Sequence, residues 1–272
     1  MELYDAIFYR KSIKNYSNKS IKSSLMEEVK SLCSNITSLN EDLNIKAHIV
    51  ERGHLIQFLM GKSCEIKAPH YLVITSNKGD NYLENVGYVG EEILLKLTSL
   101  GIATCWLKCE LKRDDIIEFI ELDEIEEDDE EYENKIESPY AIIAFGYAEK
   151  KEILFRSEEN EPNRKKIKKV CKKIDRKWVK VLKAVRVAPS IKNSQPWVFY
   201  STKYGFDLYE EKPKKNMESN FKISIGTALK HFEIACKNFD MDFNFEKLNV
   251  KKKRGKKYIL SIVHNNENSG KE

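Results

Sequence analysis

Three stretches of this chain group residue types that can hold a polar ligand. The first is Arg10-Lys11-Ser12-Ile13-Lys14. Its cations and its hydroxyl fall within a few positions, and in an extended backbone Arg10, Ser12 and Lys14 project to one side. Such a group suits a single phosphate. The guanidinium is a bidentate fork, the ammonium of Lys14 a point charge and Ser12 a neutral donor. A solvated basic segment has the same composition, so both readings stand at this level. The second stretch is Ala188 to Trp197, APSIKNSQPW. Pro189 and Pro196 stiffen its ends. Ser190, Asn193, Ser194 and Gln195 crowd polar groups between them. Those groups either satisfy neighbouring backbone or face a planar polar ligand. The third is Gly101 to Lys108, GIATCWLK, where a tight turn at a helix end can aim backbone N–H groups outward. Arg156, beyond the strand-like run AIIAFG, is a fourth candidate; its alternative is a surface arginine in a charged tail.

The elements that must position these residues read as mixed helix and strand. Ser24 to Cys33 is predicted helical. Tyr71 to Thr75 (YLVIT) and Ala141 to Gly146 (AIIAFG) are predicted buried strands. Between them Val86, Val89, Ile93, Leu94, Leu97 and Leu100 recur at three-to-four spacing, one face of a helix that Gly101 stops. The second half repeats the order. Trp178 to Val187 is predicted helical, Trp197 to Ser201 and Phe206 to Tyr209 form a hairpin with Tyr204-Gly205 in its turn, Ser224 to Phe239 is a helix, and Asp242 to Phe245 and Tyr258 to Val263 are strands. The repetition fits either a diverged duplication or ordinary α/β alternation. The polar, Pro162-containing stretch Ser157 to Asn163 reads as a surface connection, and Asn265 to Glu272 as a frayed end.

Composition narrows the class. The 272 residues carry 47 basic and 43 acidic side chains, a formal net charge of +4 that does not by itself point to nucleic acid. Two charge runs, acidic from Glu121 to Glu133 and basic from Arg164 to Lys180, read as solvated faces. The six cysteines have no CxxC pair, so neither a zinc finger nor a thioredoxin-like motif is indicated, and Cys105 and Cys109 read as buried thiols. No apolar run reaches membrane-spanning length and the first residues lack a signal-peptide pattern. A cytoplasmic location, with no nucleic-acid or membrane partner, is the expectation.

Taken together, the motifs resemble the FMN-dependent nitroreductase superfamily. RKSIKNY looks like that family's RRSxRxF phosphate motif. Ala188, Pro189, Ser190, Asn193, Gln195, Pro196 and Trp197 match its APSxxNxQPW pattern, and Asn85 to Leu107 is similar to its central helix with the GLGTCW ending. The likeness runs from about Glu2 to about Ala235. The order of the motifs departs from the usual one. Ordinary members carry both motifs in one N-terminal region, and they are homodimers with FMN at the subunit interface. Here the stretch where the second motif would fall, CSNITSLNEDLN, has no Pro and no QPW, and Arg164-Lys165-Lys166 has no Ser. The resemblance is therefore to the single-chain, two-lobed branch, a fused and degenerate pseudo-dimer.

That resemblance implies an α+β fold, with a mainly antiparallel sheet flanked by helices in each of two pseudo-symmetric lobes, residues 1–157 and 164–264. Helix and strand pattern alone does not separate this from doubly wound α/β. It implies one FMN site per chain and a monomer in solution. Arg10, Lys11, Ser12 and Lys14 are expected at the phosphate and ribityl end, joined by Arg156. Pro189, Ser190 and Asn193 are expected at the ring and ribityl, and backbone N–H groups of Trp106, Leu107 and Lys108 near flavin N5 and O4. The family's cation near N1/O2 has two candidates, Lys62 and Lys67. The implied activity is ping-pong transfer of hydride from NADH or NADPH through flavin N5 to a nitroaromatic, a quinone or another electron-poor acceptor. No side-chain nucleophile or metal is required. Two other classes compete: a flavin-binding protein without significant turnover, and a basic-surface interaction protein using 164–180 and 251–257.

Overall fold

The computed structural model describes residues 1–123, 132–150, 153–157, 160–213 and 216–264. The chain packs as two units, Met1–Glu161 and Pro162–Glu272. The division falls inside the Pro162-containing connection.

The first unit runs α1 (Leu3–Tyr9), α2 (Ser23–Ser34), β1 (Ile45–Val50), α3 (Gly53–Met60), β2 (His70–Ser76), α4 (Tyr82–Ser99), β3 (Ala103–Lys108), α5 (Arg113–Ile116), α6 (Tyr132–Lys135) and β4 (Ser138–Gly146). Its four strands form an antiparallel sheet of order β1-β2-β4-β3. The central strand β2 is buried along its whole length, and β4 from Ala141 to Gly146. That explains why their sequences are continuous apolar runs rather than alternating ones. Val86, Val89, Ile93, Leu94 and Leu97 of α4 are buried, as the periodicity predicts, but so are Glu84, Asn85, Glu91 and Glu92. The helix is thus enclosed on more than its apolar face. It stops where expected. Gly101 has φ +75°, and the Gly101 and Ile102 amides donate to Thr98 O and Leu97 O.

The second unit contains α7 (Ile167–Val170), α8 (Val179–Arg186), β5 (Trp197–Ser201), β6 (Gly205–Glu211), α9 (Glu218–Asn238), β7 (Phe243–Glu246) and β8 (Lys256–His264). Its sheet is also antiparallel, of order β5-β6-β8-β7. Both units thus place their strands in the order first, second, fourth, third, with the long helix (α4 or α9) between the second and third. The core of the second unit is aromatic. Phe232 of α9 stacks on Trp178 at 5.7 Å and on Phe199 at 6.1 Å, with Phe206 edge-on.

Several elements differ from the sequence reading. Residues 103–108, read as part of a turn, form β3, because the β-branched and aromatic run ATCWL pairs with β4 from Ala103↔Gly146 to Lys108↔Ala141. The turn is confined to Gly101-Ile102. Helix α9 starts at Glu218, six residues before the predicted start, because its first turn is polar and gives no apolar period. Helix α1, strand β1 and helix α3 carry no mark in the motif pattern. Most of the acidic run (124–131) and the terminal residues 265–272 lie outside the described residues. Among the described residues no helix is long and apolar enough to cross a membrane.

Candidate functional site

In the first unit, Arg10 caps α1, donating its backbone N–H to Ala6 O at 2.9 Å. Residues 10–17 then run extended. Arg10 bridges Phe155, Ile13 N donates to Thr104 O at 3.0 Å along the edge of β3, and Tyr16 bridges Ala148. The alternation expected of an extended segment is present. Ile13 is 1% exposed, while Ser12 and Lys14 lie open to solvent.

Arg10 does not follow its neighbours outward. It is 5% exposed, with Nη1 donating to Ser12 Oγ at 3.5 Å. Arg156 stands beside it, its backbone N–H on Tyr9 O at 2.7 Å and Nη1 on Phe8 O at 3.2 Å. Burial, and then the neighbouring Arg10 charge, lower the Arg156 pKa from its ordinary value. Among the described residues no carboxylate pairs with Arg10, Lys14 or Arg156. A buried guanidinium beside a second one costs free energy unless an anion joins them. The donor set of two forks, a hydroxyl and an ammonium fits a phosphate group.

Two residues not expected to line the site belong to the same cluster. Tyr16, the last residue of RKSIKNY, donates its hydroxyl to Ala144 O at 3.2 Å, and its pKa is raised by burial despite the Arg10 charge. The Cys105 thiol bonds Ser12; burial raises its pKa, and the Arg10 and Lys14 charges oppose the rise only in part. Cys105 is buried as expected, whereas Cys109 is half-buried, its thiol raised by burial to about 11.

Strand β3 lies at the edge of its sheet. Thr104 turns its carbonyl to Ile13 rather than to β4. By the two-residue alternation of a strand, Trp106 and Lys108 turn their backbone groups to the same open edge, and Leu107 turns its own to β4. The indole of Trp106 is fixed from α4, donating Nε1–H to the buried Glu91 carboxylate at 2.8 Å. The Lys108 ammonium is held by Glu110 at 2.6 Å. Lys62 and Lys67 are both exposed, Lys62 in a 3₁₀ turn at Gly61–Ser63.

In the second unit the 188–197 loop is built around its own polar groups. Ser190 Oγ accepts from Gln195 N at 2.9 Å, and Pro189 O accepts from Thr227 Oγ1 at 2.8 Å. Asn193 Oδ1 accepts from Arg164 Nη1 at 2.9 Å and from Gln195 Nε2 at 3.0 Å, while its Nδ2 donates to Asn163 O at 2.8 Å. Lys192, Asn193 and Gln195 all have φ between +47° and +55°, so this side-chain network holds a left-handed backbone in place. Asn193 therefore commits its amide to the loop, whereas the Ser190 hydroxyl keeps its own hydrogen to donate. Arg164 and Lys165, read as part of a solvated run, are loop supports. Lys165 donates from N to Gln195 Oε1 at 2.7 Å and from Nζ to Gln195 O at 2.8 Å.

The profile of the family described as "Putative TM nitroreductase" matches residues 2–236. Among solved structures, the crystal structure of a "putative nitroreductase" from Thermotoga maritima aligns with 96% of this chain and 93% of its own, at 20% identity and a TM-score of 0.59. An FMN-dependent nitroreductase from Clostridium difficile R20291 is 18% identical and covers 55% of this chain and 89% of its own, at a TM-score of 0.41. A nitroreductase with bound FMN from Bacteroides fragilis NCTC 9343 is 16% identical and covers 58% of this chain and 94% of its own, at 0.43. No curated protein matches.

Proposed function

The chain belongs to the TM nitroreductase family, and from that premise we propose that it is an FMN-dependent oxidoreductase using NADH or NADPH to reduce nitroaromatic, quinone or similar electron-poor acceptors. One observation carries this reading: the Arg10–Arg156 pair, buried or half-buried and without a carboxylate among the described residues, in the segment that matches the phosphate motif.

When bound, FMN would supply the two-electron chemistry, hydride in from the nicotinamide and electrons out to the acceptor. This chain's residues bind and orient it. Arg10 and Arg156 hold the phosphate by charge-assisted hydrogen bonds, with Ser12 and Lys14 completing the set and Lys11 adding positive charge. Trp106 and Lys108 offer backbone N–H groups from the open edge of β3 for the polar edge of the ring. Leu107, whose backbone serves β4, contributes by keeping that edge straight. Pro189 and Ser190 present a stiff polar loop whose shape Asn193 fixes. One cation, Lys62 or Lys67, would favour the anionic reduced ring.

The test is the visible spectrum of the purified protein, followed by denaturation and identification of any released chromophore. A yellow protein releasing one FMN per chain is expected. A colourless protein that also fails to take up added FMN would overturn the reading. Steady-state oxidation of NADH or NADPH with a nitroaromatic then checks turnover. A flavin-loaded protein that fails to oxidise either nicotinamide is a flavin carrier, not an enzyme.

A further inference from the structure

The net charge of +4 conceals a segregation. Residues 162–272 hold 28 basic against 11 acidic side chains, and residues 1–161 hold 19 against 32. The two units therefore differ in sign, +17 and −13. A lysine-rich composition alone does not explain this, because the same chain makes an acidic unit beside a basic one.

Two stretches concentrate the positive charge, and both flank β5. Between Lys166 and Lys180 there are eight exposed cations and a single acidic residue, Asp175. This stretch is tied to β5 by the parallel bridge Cys171↔Phe199. The segment Lys251–Lys257, a loop that runs into β8, has six cations and no acid. It is held over β5 and the neighbouring β6, with Lys253 Nζ 4.2 Å from the Tyr200 ring centroid and Lys251 O accepting from Tyr209 Oη at 2.8 Å. It is thus an ordered basic loop rather than a free tail.

A cleft of about 330 Å³ opens between the 173–178 segment and the β5–β6 turn, rimmed by Lys173, Lys177 and Lys203. Its one carboxylate, Asp175, accepts from Lys177 N at 3.2 Å. Among the described residues no carboxylate pairs with these three lysines or with Lys251, Lys252 or Arg254. The cleft lies at the N-terminal end of α8, whereas the 188–197 loop follows its C-terminal end.

We propose that this surface of the second unit binds the phosphate backbone of duplex nucleic acid without reading its sequence. Cations without a carboxylate partner spread over a strip, some of them rimming a cleft, are the footprint of backbone binding. An apolar or membrane-inserting partner lacks an anchor here: the exposed large hydrophobic residues described (Met1, Phe58, Leu59, Leu100, Ile117 and Ile153) all belong to the first unit.

The test uses the full chain and fluorescence anisotropy of a labelled 24-base-pair duplex of arbitrary sequence, with vesicles containing phosphatidylserine as a second arm. Binding at 50 mM salt that weakens more than about tenfold by 200 mM is expected, independent of sequence. Two variants probe the strip: Lys251→Gln with Lys252→Gln and Arg254→Gln, and Lys173→Gln with Lys177→Gln and Lys203→Gln. Each should weaken binding and lower the log–log salt slope by about 0.9 for every phosphate it no longer neutralises. Lys19→Gln with Lys22→Gln, exposed in the first unit, should change neither. Absence of binding at 50 mM, salt-independent binding, or both strip variants binding as the parent does would overturn the proposal. So would tighter binding to the vesicles than to the duplex, which would make lipid the ligand.

Discussion

Arg10 is the residue on which the proposed site turns. Its guanidinium sits almost fully out of water beside the half-buried Arg156, a placement that costs free energy unless an anion joins the two. Arg10→Ala should weaken FMN binding by about 1.5–3 kcal/mol, the worth of a hydrogen bond to a charged group. Quenching of FMN fluorescence on titration measures it, and a melting curve of the flavin-free variant separates lost binding from lost fold. Unchanged affinity would remove Arg10 from the site.

A second residue, Glu137, makes a stability prediction. Its carboxylate is fully buried and accepts from His48 Nε2 at 2.9 Å, from Asp123 N at 3.2 Å and from Thr75 Oγ1, with Lys46 Nζ 3.4 Å away. Burial pushes its pKa up, but these donors outweigh burial and bring it down to about 2 from 4.5. The folded-state pKa lies below the unfolded one, so its contribution is present above pH 4.5 and is lost as pH falls towards 2. Glu137→Gln should cost on the order of 3 kcal/mol near neutrality, and the gap to the parent should close in acid. A gap that stays constant in urea melts from pH 6 to pH 3 would mean ionisation is not what the network stabilises.

At the scale of elements, the packing of α4 on β3 sets the position of Trp106. A Cβ on Gly90 would lie 2.3 Å from Trp106 Cη2 and 2.6 Å from Ile74 Cδ1. The indole cannot swing away freely, because Glu91 on the next residue of the helix holds it. Gly90→Ala thus sets two effects against each other. Helix propensity favours alanine by about 1 kcal/mol, and overpacking costs about 1–3 kcal/mol. The clash with an anchored ring decides the sign. We expect a lower melting temperature and a changed Trp fluorescence spectrum; a stabilised variant would show that α4 can slide away from the strand. At Gly101 the helix ends with φ +75° and open space where a Cβ would stand, so Gly101→Ala should cost about 1 kcal/mol through backbone conformation alone.

For the whole molecule, the repeated strand order β1-β2-β4-β3 and β5-β6-β8-β7 matches what a fused pair of related units would keep. The two halves carry different motifs, the RKS segment standing in one and the APS loop in the other. On the proposed reading the chain needs no second copy to complete its ligand set. Light scattering should give a mass near 31.8 kDa, with one FMN per particle. A dimer of twice that mass would count against the fused-pair account.

Much of this was legible in the sequence, because it depends on local rules. Burial on both faces makes β2 and β4 continuous apolar runs, and the three-to-four spacing of α4 and the left-handed glycine that ends it need no tertiary partner to be seen. The motif types at Arg10–Lys14 and Ala188–Trp197 are equally plain, since phosphate chemistry and proline stiffness belong to the residues themselves. What a side chain does with its polar groups was decided only by the folded chain. Arg10 is drawn inward while Ser12 and Lys14 stay out, because the return of residues 155–156 covers it. Asn193 holds the loop, because Arg164, about thirty positions away, reaches its amide. Residues 103–108 are strand rather than turn, because β4 offers a partner more than thirty residues later in the chain. Long-range pairing and burial are properties of the whole fold, and a linear pattern carries no record of which distant group will arrive.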